Sequence, residues 1–234
     1  MKKSTYLGIV ILFLSITVQA QKLSSKWEYM LYTSAQFQQL DFTDFNQQLE
    51  ELNLFALPNN ALEINVGVTT FFRRYMSNIS LAFGSATNES EDISSQSSRF
   101  RYIGIHVNEA FNFLNPESSW FFGPDIGINI SYQQIFITGR NNSKNFVKAA
   151  NNAVYSFERF SETSEVGLRT HKIFKYKDVF KQDRTIFVGI HAGYRFDLKD
   201  DSFPWRLNSA IRQNDLGINT GGWFGTIILG YKLP

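Results

Sequence analysis

The stretch from Thr185 to Leu198 sorts its side chains into two sets with almost no exception. Ile186, Val188, Ile190, Ala192, Tyr194, Phe196 and Leu198 alternate with Phe187, Gly189, His191, Gly193, Arg195 and Asp197. Consecutive residues of a strand point to opposite faces, so this run predicts one long strand with an apolar wall and a mostly polar one. Such a length is uncommon in soluble sheets. It suits a tilted strand that crosses a bilayer, with lipid on one side and a polar lumen on the other.

The period recurs along the chain. Leu62, Ile64, Val66, Val68, Thr70 and Phe72 oppose Glu63, Asn65, Gly67, Thr69, Phe71 and Arg73, and Ile79, Leu81 and Phe83 oppose Asn78, Ser80, Ala82 and Gly84. Ile103, Ile105 and Val107 oppose Tyr102, Gly104, His106 and Asn108, with Glu109 interrupting the apolar side. That interruption calls for a bulge or an interfacial position. Phe122, Ile126, Ile128, Ile130 and Tyr132 oppose Gly123, Asp125, Gly127, Asn129 and Ser131, and Trp223, Ile227, Leu229, Tyr231 and Leu233 share one side of the last segment. Seven strands are predicted, at 27–37, 61–73, 75–86, 99–113, 119–132, 185–198 and 222–233.

An up-and-down barrel with both termini in the periplasm needs an even number of strands. Trp205–Ile211 is the expected eighth strand, and a strand inside Val154–Phe174 is its rival. The predicted fold is therefore all-β, an eight-stranded antiparallel up-and-down transmembrane β-barrel with one short helix in its first outer loop. That helix falls within 38–60, with Asp44 as N-cap, Gln47 three residues on, and Phe45, Leu49, Leu52 and Ala56 on one face. With the N-terminus inside, the outer connections 38–60, 87–98 and 133–184 are long. The inner ones, at Arg73–Arg74, at 115–118 and at Lys199–Phe203, are short, which is the usual asymmetry of outer-membrane barrels.

The N-terminus adds a route to the membrane. Lys2 and Lys3, the apolar run Leu7–Ile16 and Val18-Gln19-Ala20 form the three parts of a secretory signal peptide, so 1–20 is expected to be cleaved and 21–234 to form a single barrel domain. Removing Lys2 and Lys3 leaves 21 of the 23 Lys+Arg against 21 Asp+Glu, a balance that argues against a nucleic-acid partner. The chain has no cysteine, which excludes disulfides and thiolate metal sites. Aromatic residues make up 16% of it, enough to supply girdles at both membrane interfaces.

On these patterns the chain resembles the small Gram-negative outer-membrane β-barrel proteins, the class of outer-membrane protein X-like eight-stranded barrels. The alternation of Ile227, Leu229, Tyr231 and Leu233 is similar to the C-terminal signature that the barrel-insertion machinery reads in that class. The resemblance implies location in the outer membrane, contact with its lipid and passage through that machinery. It implies no single activity.

Candidate chemistry lies in two places. Glu28, Glu63, Arg73, Asp125, Arg195, Asp197 and Lys232, with His106 and His191, are predicted to face inward. An eight-stranded barrel holds little more than its own side chains, so Glu63, His106, Asp125, His191, Arg195 and Asp197 are expected to form a polar network that fills the lumen. A narrow solute pathway is the alternative. No close-spaced metal-ligand motif is present, and no metal, cofactor or catalytic residue is expected. The second place is 139–182, where Arg140, Lys144, Lys148, Arg159, Arg169, Lys172, Lys175, Lys177 and Lys181 interleave with aromatic residues. Read as one outer loop, this segment would present a basic aromatic surface to lipopolysaccharide-type anions or a protein partner. The function expected is thus non-enzymatic binding by long outer loops. A lipid-modifying enzyme built from His171 with Ser161, Glu162, Ser164 and Glu165, and a soluble lipocalin-like barrel with its apolar face inward, are the remaining alternatives.

Overall fold

A computed structural model describes residues 28–52, 54–89, 97–115, 117–139, 153–179, 182–198, 205–207, 211–213 and 218–232. Residues 1–20, expected as a signal peptide, and the connections 90–96, 140–152 and 199–204 lie outside the described residues.

Eight long strands alternate in direction: β1 (Glu28–Gln39), β2 (Asn60–Phe72), β3 (Tyr75–Glu89), β4 (Ser97–Phe111), β5 (Trp120–Gly139), β6 (Ala153–Lys177), β7 (Asp183–Asp197) and β10 (Gly222–Lys232). Each pairs antiparallel with the next. β10 also pairs with β1, from Met30↔Lys232 to Gln38↔Phe224, and this ladder closes the eight strands into a barrel. Two three-residue strands, β8 (Trp205–Leu207) and β9 (Ile211–Gln213), form a hairpin laid on the edge of β6 through Phe157↔Leu207 and Glu158↔Arg206.

The eighth wall strand is thus β6, and Trp205–Leu207 is only part of a cap hairpin. This overturns the expectation for Trp205–Ile211 and favours its rival. β6 is the longest strand, at 25 residues, yet its alternation is faint in sequence. Its inward side carries Arg159, Ser161, Thr163, Glu165 and Arg169, its outward side carries Glu158, Glu162 and Ser164, and only Val166 and Leu168 make an uninterrupted apolar pair. Inserting β6 also reverses β7, which runs from the inner end at Asp183 to the outer end at Asp197. Lys199–Phe203, expected as an inner turn, therefore follows the outer end of a strand.

The outside of the wall is apolar. Val66, Ile79, Ile105, Ile130, Leu168, Ile190 and Ile227 are all exposed, Ile190 at 60% and Ile227 at 63%. An aromatic ring of Tyr29, Tyr75, Phe113, Trp120, Phe122, Phe174 and Tyr176 borders this belt at the inner end. Phe37, Phe83, Phe160, Phe196 and Trp223 border it at the outer end. A lipocalin-like arrangement would reverse the two faces. Glu109 causes no bulge: the β3–β4 and β4–β5 registers run through it unbroken, and its carboxylate accepts the Ser77 hydroxyl at 2.7 Å close to the inner ring.

β3, β4, β5 and β6 outrun β2 and β7, which leave the ladder at Leu62↔Ser85 and Thr163↔Asp197. The surplus forms a tall wall on one side of the outer mouth. Helix α1 (Thr43–Glu51) packs against its inner face, as the amphipathic pattern predicted. Its N-cap is Phe42; Asp41 accepts the Thr43 amide at 3.2 Å and the Thr43 hydroxyl at 2.8 Å. Asp44, the expected cap, therefore sits in the first turn, two residues past the observed cap Phe42, where its charge suits the helix dipole. Phe45 meets Phe157 edge to face at 5.7 Å between centroids and Phe42 meets Phe100 at 5.3 Å; Leu49, Ile135, Ile137 and Trp205 complete an apolar cap over the lumen.

Candidate functional site: the barrel interior

The lumen is layered. Below the apolar cap lie the buried charges, and below them Met30, Phe187, Ile228, Met76, Ala110 and Phe121 close the inner end. His171 belongs to this lower floor, stacked on Phe121 at 4.6 Å and edge-on to Phe71 at 5.5 Å. The chain therefore encloses its ionic groups between two hydrophobic layers.

Arg195 from β7 is the hub of the charged layer. Its Nη1 donates to Glu63 at 2.9 Å and to the Gln38 side-chain oxygen at 2.8 Å, and its Nη2 lies 3.3 Å from Glu165. The Tyr102 hydroxyl donates to the same Glu63 oxygen, Oε2. A buried guanidinium offers five donors in a plane, so one arginine can hold carboxylates from β2 and β6 at once. Nearer the inner end, Arg169 pairs with Asp125 Oδ2 at 2.9 Å, His191 Nε2 lies 3.0 Å from Asp125 Oδ1, and His106 Nε2 lies 2.8 Å from Glu165 Oε1. Asn108 donates to both carboxylates. Nearer the outer end, Arg159 pairs with Asp197 at 2.7 Å, donates to Gln133 at 3.0 Å and lies 4.8 Å from the Trp205 ring. Asp197 also accepts the amide and hydroxyl of Thr220.

Local sequence makes room for these groups. Gly84 faces Tyr102 directly across the β3–β4 ladder, and a Cβ there would come within 2.0 Å of the tyrosine ring. Gly167 and Gly127 similarly leave space for His191 and for Asn108 with Glu165.

Glu63, His106, Asp125, His191, Arg195 and Asp197, the six residues expected to share the lumen, all lie inside it. Glu28 and Lys232 pair at 3.1 Å on the half-exposed inner rim, and Arg73 occupies the β2–β3 turn with a φ of 54°. Glu165, Arg169 and Arg159 belong to the network and were not expected there, because 139–182 reads as a loop in sequence. That single loop does not exist. Arg159 and Arg169 are ion-paired inside the barrel. Lys172, Lys175 and Lys177 lie at the inner end, Lys172 with its ammonium 5.2 Å from the Trp120 ring. Arg140, Lys144, Lys148 and Lys181 lie outside the described residues. The five described basic residues are thus divided between the lumen and the inner end of the barrel. The constellation around His171 is also scattered: His171 is in the lower apolar floor, Ser161 and Glu165 are higher in the lumen, and Glu162 and Ser164 lie on the outward side of β6.

A void of about 10 Å³ beside Arg195, Gln38, Gln133 and Thr220 has room for about one water. Filled by side chains, tied by ion pairs and closed by apolar layers, the lumen is a packed core. No family model matches the chain, and no curated protein matches it. Among solved structures it is similar to Ail, the attachment invasion locus protein of Yersinia pestis, in complex with the heparin analogue sucrose octasulfate. The identity is 13%, the match covers 89% of this chain and 98% of that one, and the TM-score is 0.46. The ladders themselves establish the architecture: eight antiparallel strands closed up and down, apolar outside and polar within, with one short helix at the outer mouth, which is the fold of the small outer-membrane β-barrels.

Proposed function

We propose that this protein is a non-conducting, non-enzymatic barrel of the outer membrane that reaches its location by signal-peptide-dependent export and works through its outer surface. The observation that carries this reading is the contrast between the two parts of the molecule. The lumen is spent on its own ion pairs, whereas β3–β6 continue beyond the rest of the barrel as a wall with an outward polar face.

Arg99 and Arg101 lie on that outward face, Arg99 in an exposed pair with Glu89 at 3.1 Å. The connection 140–152, which joins the outer ends of β5 and β6, carries Arg140, Lys144 and Lys148 and no acidic residue. A cationic rim just above the membrane suits the phosphates of lipopolysaccharide-type lipids or an acidic protein partner. Arg159, Arg169, Lys172, Lys175 and Lys177 have no share in this surface, since they lie inside the barrel or at its inner end.

Replacing Arg140, Lys144 and Lys148 together by Gln should weaken binding of the refolded barrel to vesicles containing lipopolysaccharide by about tenfold or more, with a reduced salt dependence. Unchanged binding and unchanged salt dependence would sink the assignment. In planar bilayers the wild-type barrel should give no single-channel steps, and a stable conductance sensitive to Glu63→Gln would restore the transport reading.

A further inference from the structure

We propose that the polar layer of the barrel holds one divalent transition-metal ion of the zinc class, bound by Asp125, Glu165 and His191. These residues come from β5, β6 and β7, and one donor atom from each lies within 4.8 Å of the other two. All three are buried, His191 at 3% exposure. Sequence spacing conceals the set because neighbouring strands, not one motif, bring the donors together.

Three observations point to a ligand there. His191 Nε2 sits 3.0 Å from Asp125 Oδ1 but out of line for a hydrogen bond, and it has no other partner. A buried imidazole nitrogen with nothing to bond is costly, and a metal ion would satisfy it. Each carboxylate has one oxygen facing an arginine, Asp125 Oδ2 at 2.9 Å from Arg169 and Glu165 Oε2 at 3.3 Å from Arg195, while Asp125 Oδ1 and Glu165 Oε1 both face the Asn108 amide. The Asn108 amide nitrogen bonds both of these oxygens, the place a cation would take, and rotation of that amide would offer its oxygen as a further ligand. Finally, Gly167 lets His191 Nε2 sit close against the β6 backbone beside these donors, where a Cβ would come within 2.6 Å of it.

Charge agrees. Three carboxylates, Glu63, Asp125 and Glu165, face two guanidiniums, Arg169 and Arg195, and this surplus of acidic groups favours a cation. One imidazole with two carboxylates is a donor set that zinc and its neighbours accept, at ligand distances of about 2.0–2.2 Å that place adjacent donors ~3.3 Å apart. The 3.0 Å separation of His191 and Asp125 is close to that spacing, and Glu165 would close in as Asn108 turns. His106 Nε2 lies 2.8 Å from the same Glu165 oxygen, Oε1, and would share that carboxylate with the ion.

The test uses the full barrel refolded in detergent with Zn²⁺ or Co²⁺, then desalted against chelator. One ion per chain, visible Co²⁺ absorption and a Zn²⁺-dependent rise in Tm are expected. His191→Gln should lower retention at least tenfold, and the outward Lys172→Gln should leave it unchanged. Sub-stoichiometric metal with an unmoved Tm overturns the proposal, as does full retention by His191→Gln. If that variant does not fold, the His191 ring resonances of the wild-type barrel decide. A shift on adding Zn²⁺ supports the site, and resonances that do not move overturn it.

Discussion

At the scale of single residues, the interior behaves as a set of mutually dependent charges rather than a collection of strong bonds. Arg195 touches Glu63 and Glu165, both fully enclosed, so its loss leaves two carboxylates without a countercharge in a medium that cannot hydrate them. Arg195→Met should destabilise the barrel by about 3–5 kcal/mol in urea unfolding from lipid vesicles. The triple replacement Arg195→Met, Glu63→Gln, Glu165→Gln should cost less than the single one; a larger cost would show that the ion pairs themselves, and not the orphaned charges, dominate. Glycine is the second residue-scale device. Gly230 lies opposite Phe187 on the β7–β10 ladder, and a Cβ there would meet the ring at 1.7 Å. Gly230→Ala should therefore cost about 1–3 kcal/mol by overpacking, read as a lowered urea midpoint.

Single elements carry a different lesson, and β6 shows it best. One strand passes through three environments: an outer wall above the membrane, the lipid belt and the inner rim. Its outward residues change accordingly, from Ser156 and Glu158 through Val166 and Leu168 to Lys172 and Phe174. Leu168→Lys should cost about 2–4 kcal/mol because it places a charge against hydrocarbon, and Ser156→Lys should cost under 1 kcal/mol. Equal costs would mean that the belt is misplaced along β6. The alternation rule failed here for a physical reason: outside the belt nothing requires the outward face to be apolar, and inside the barrel the inward face is charged. Helix α1 was legible because its apolar stripe has to meet the cap whatever the strands do, and Phe45 and Leu49 do so. Phe45→Ala should loosen the cap by about 3 kcal/mol or more, seen as faster amide exchange in α1 with the barrel ladder still protected.

On the scale of the whole molecule, closure of the sheet decides what the interior can be. Eight tilted strands leave a lumen about as wide as two layers of side chains, so charges placed inward must meet one another and the remaining space is slight. This is why a pathway for solutes and an enzyme centred on His171 find no support in the geometry, and why the outer surface holds the functional reading. The same closure predicts a protein resistant to unfolding at room temperature, whose folded form migrates faster than its heated form on gels. A chain recovered wholly in a soluble fraction with one gel form would contradict the membrane-spanning barrel.

The sequence by itself determined the two-faced strands, their sidedness, the helix at the outer mouth and the inward direction of Glu63, His106, Asp125, His191, Arg195 and Asp197, because each follows from a local period of two or 3.6 residues. Tertiary structure alone decided which segment supplied the eighth strand, that β7 runs outward, and which charges meet. Those outcomes depend on strand neighbours far apart in the chain. Glu165 faces Arg195 because β6 pairs with β7 in one register, and no spacing along the chain encodes that register when the strand's own apolar pattern is interrupted at both ends.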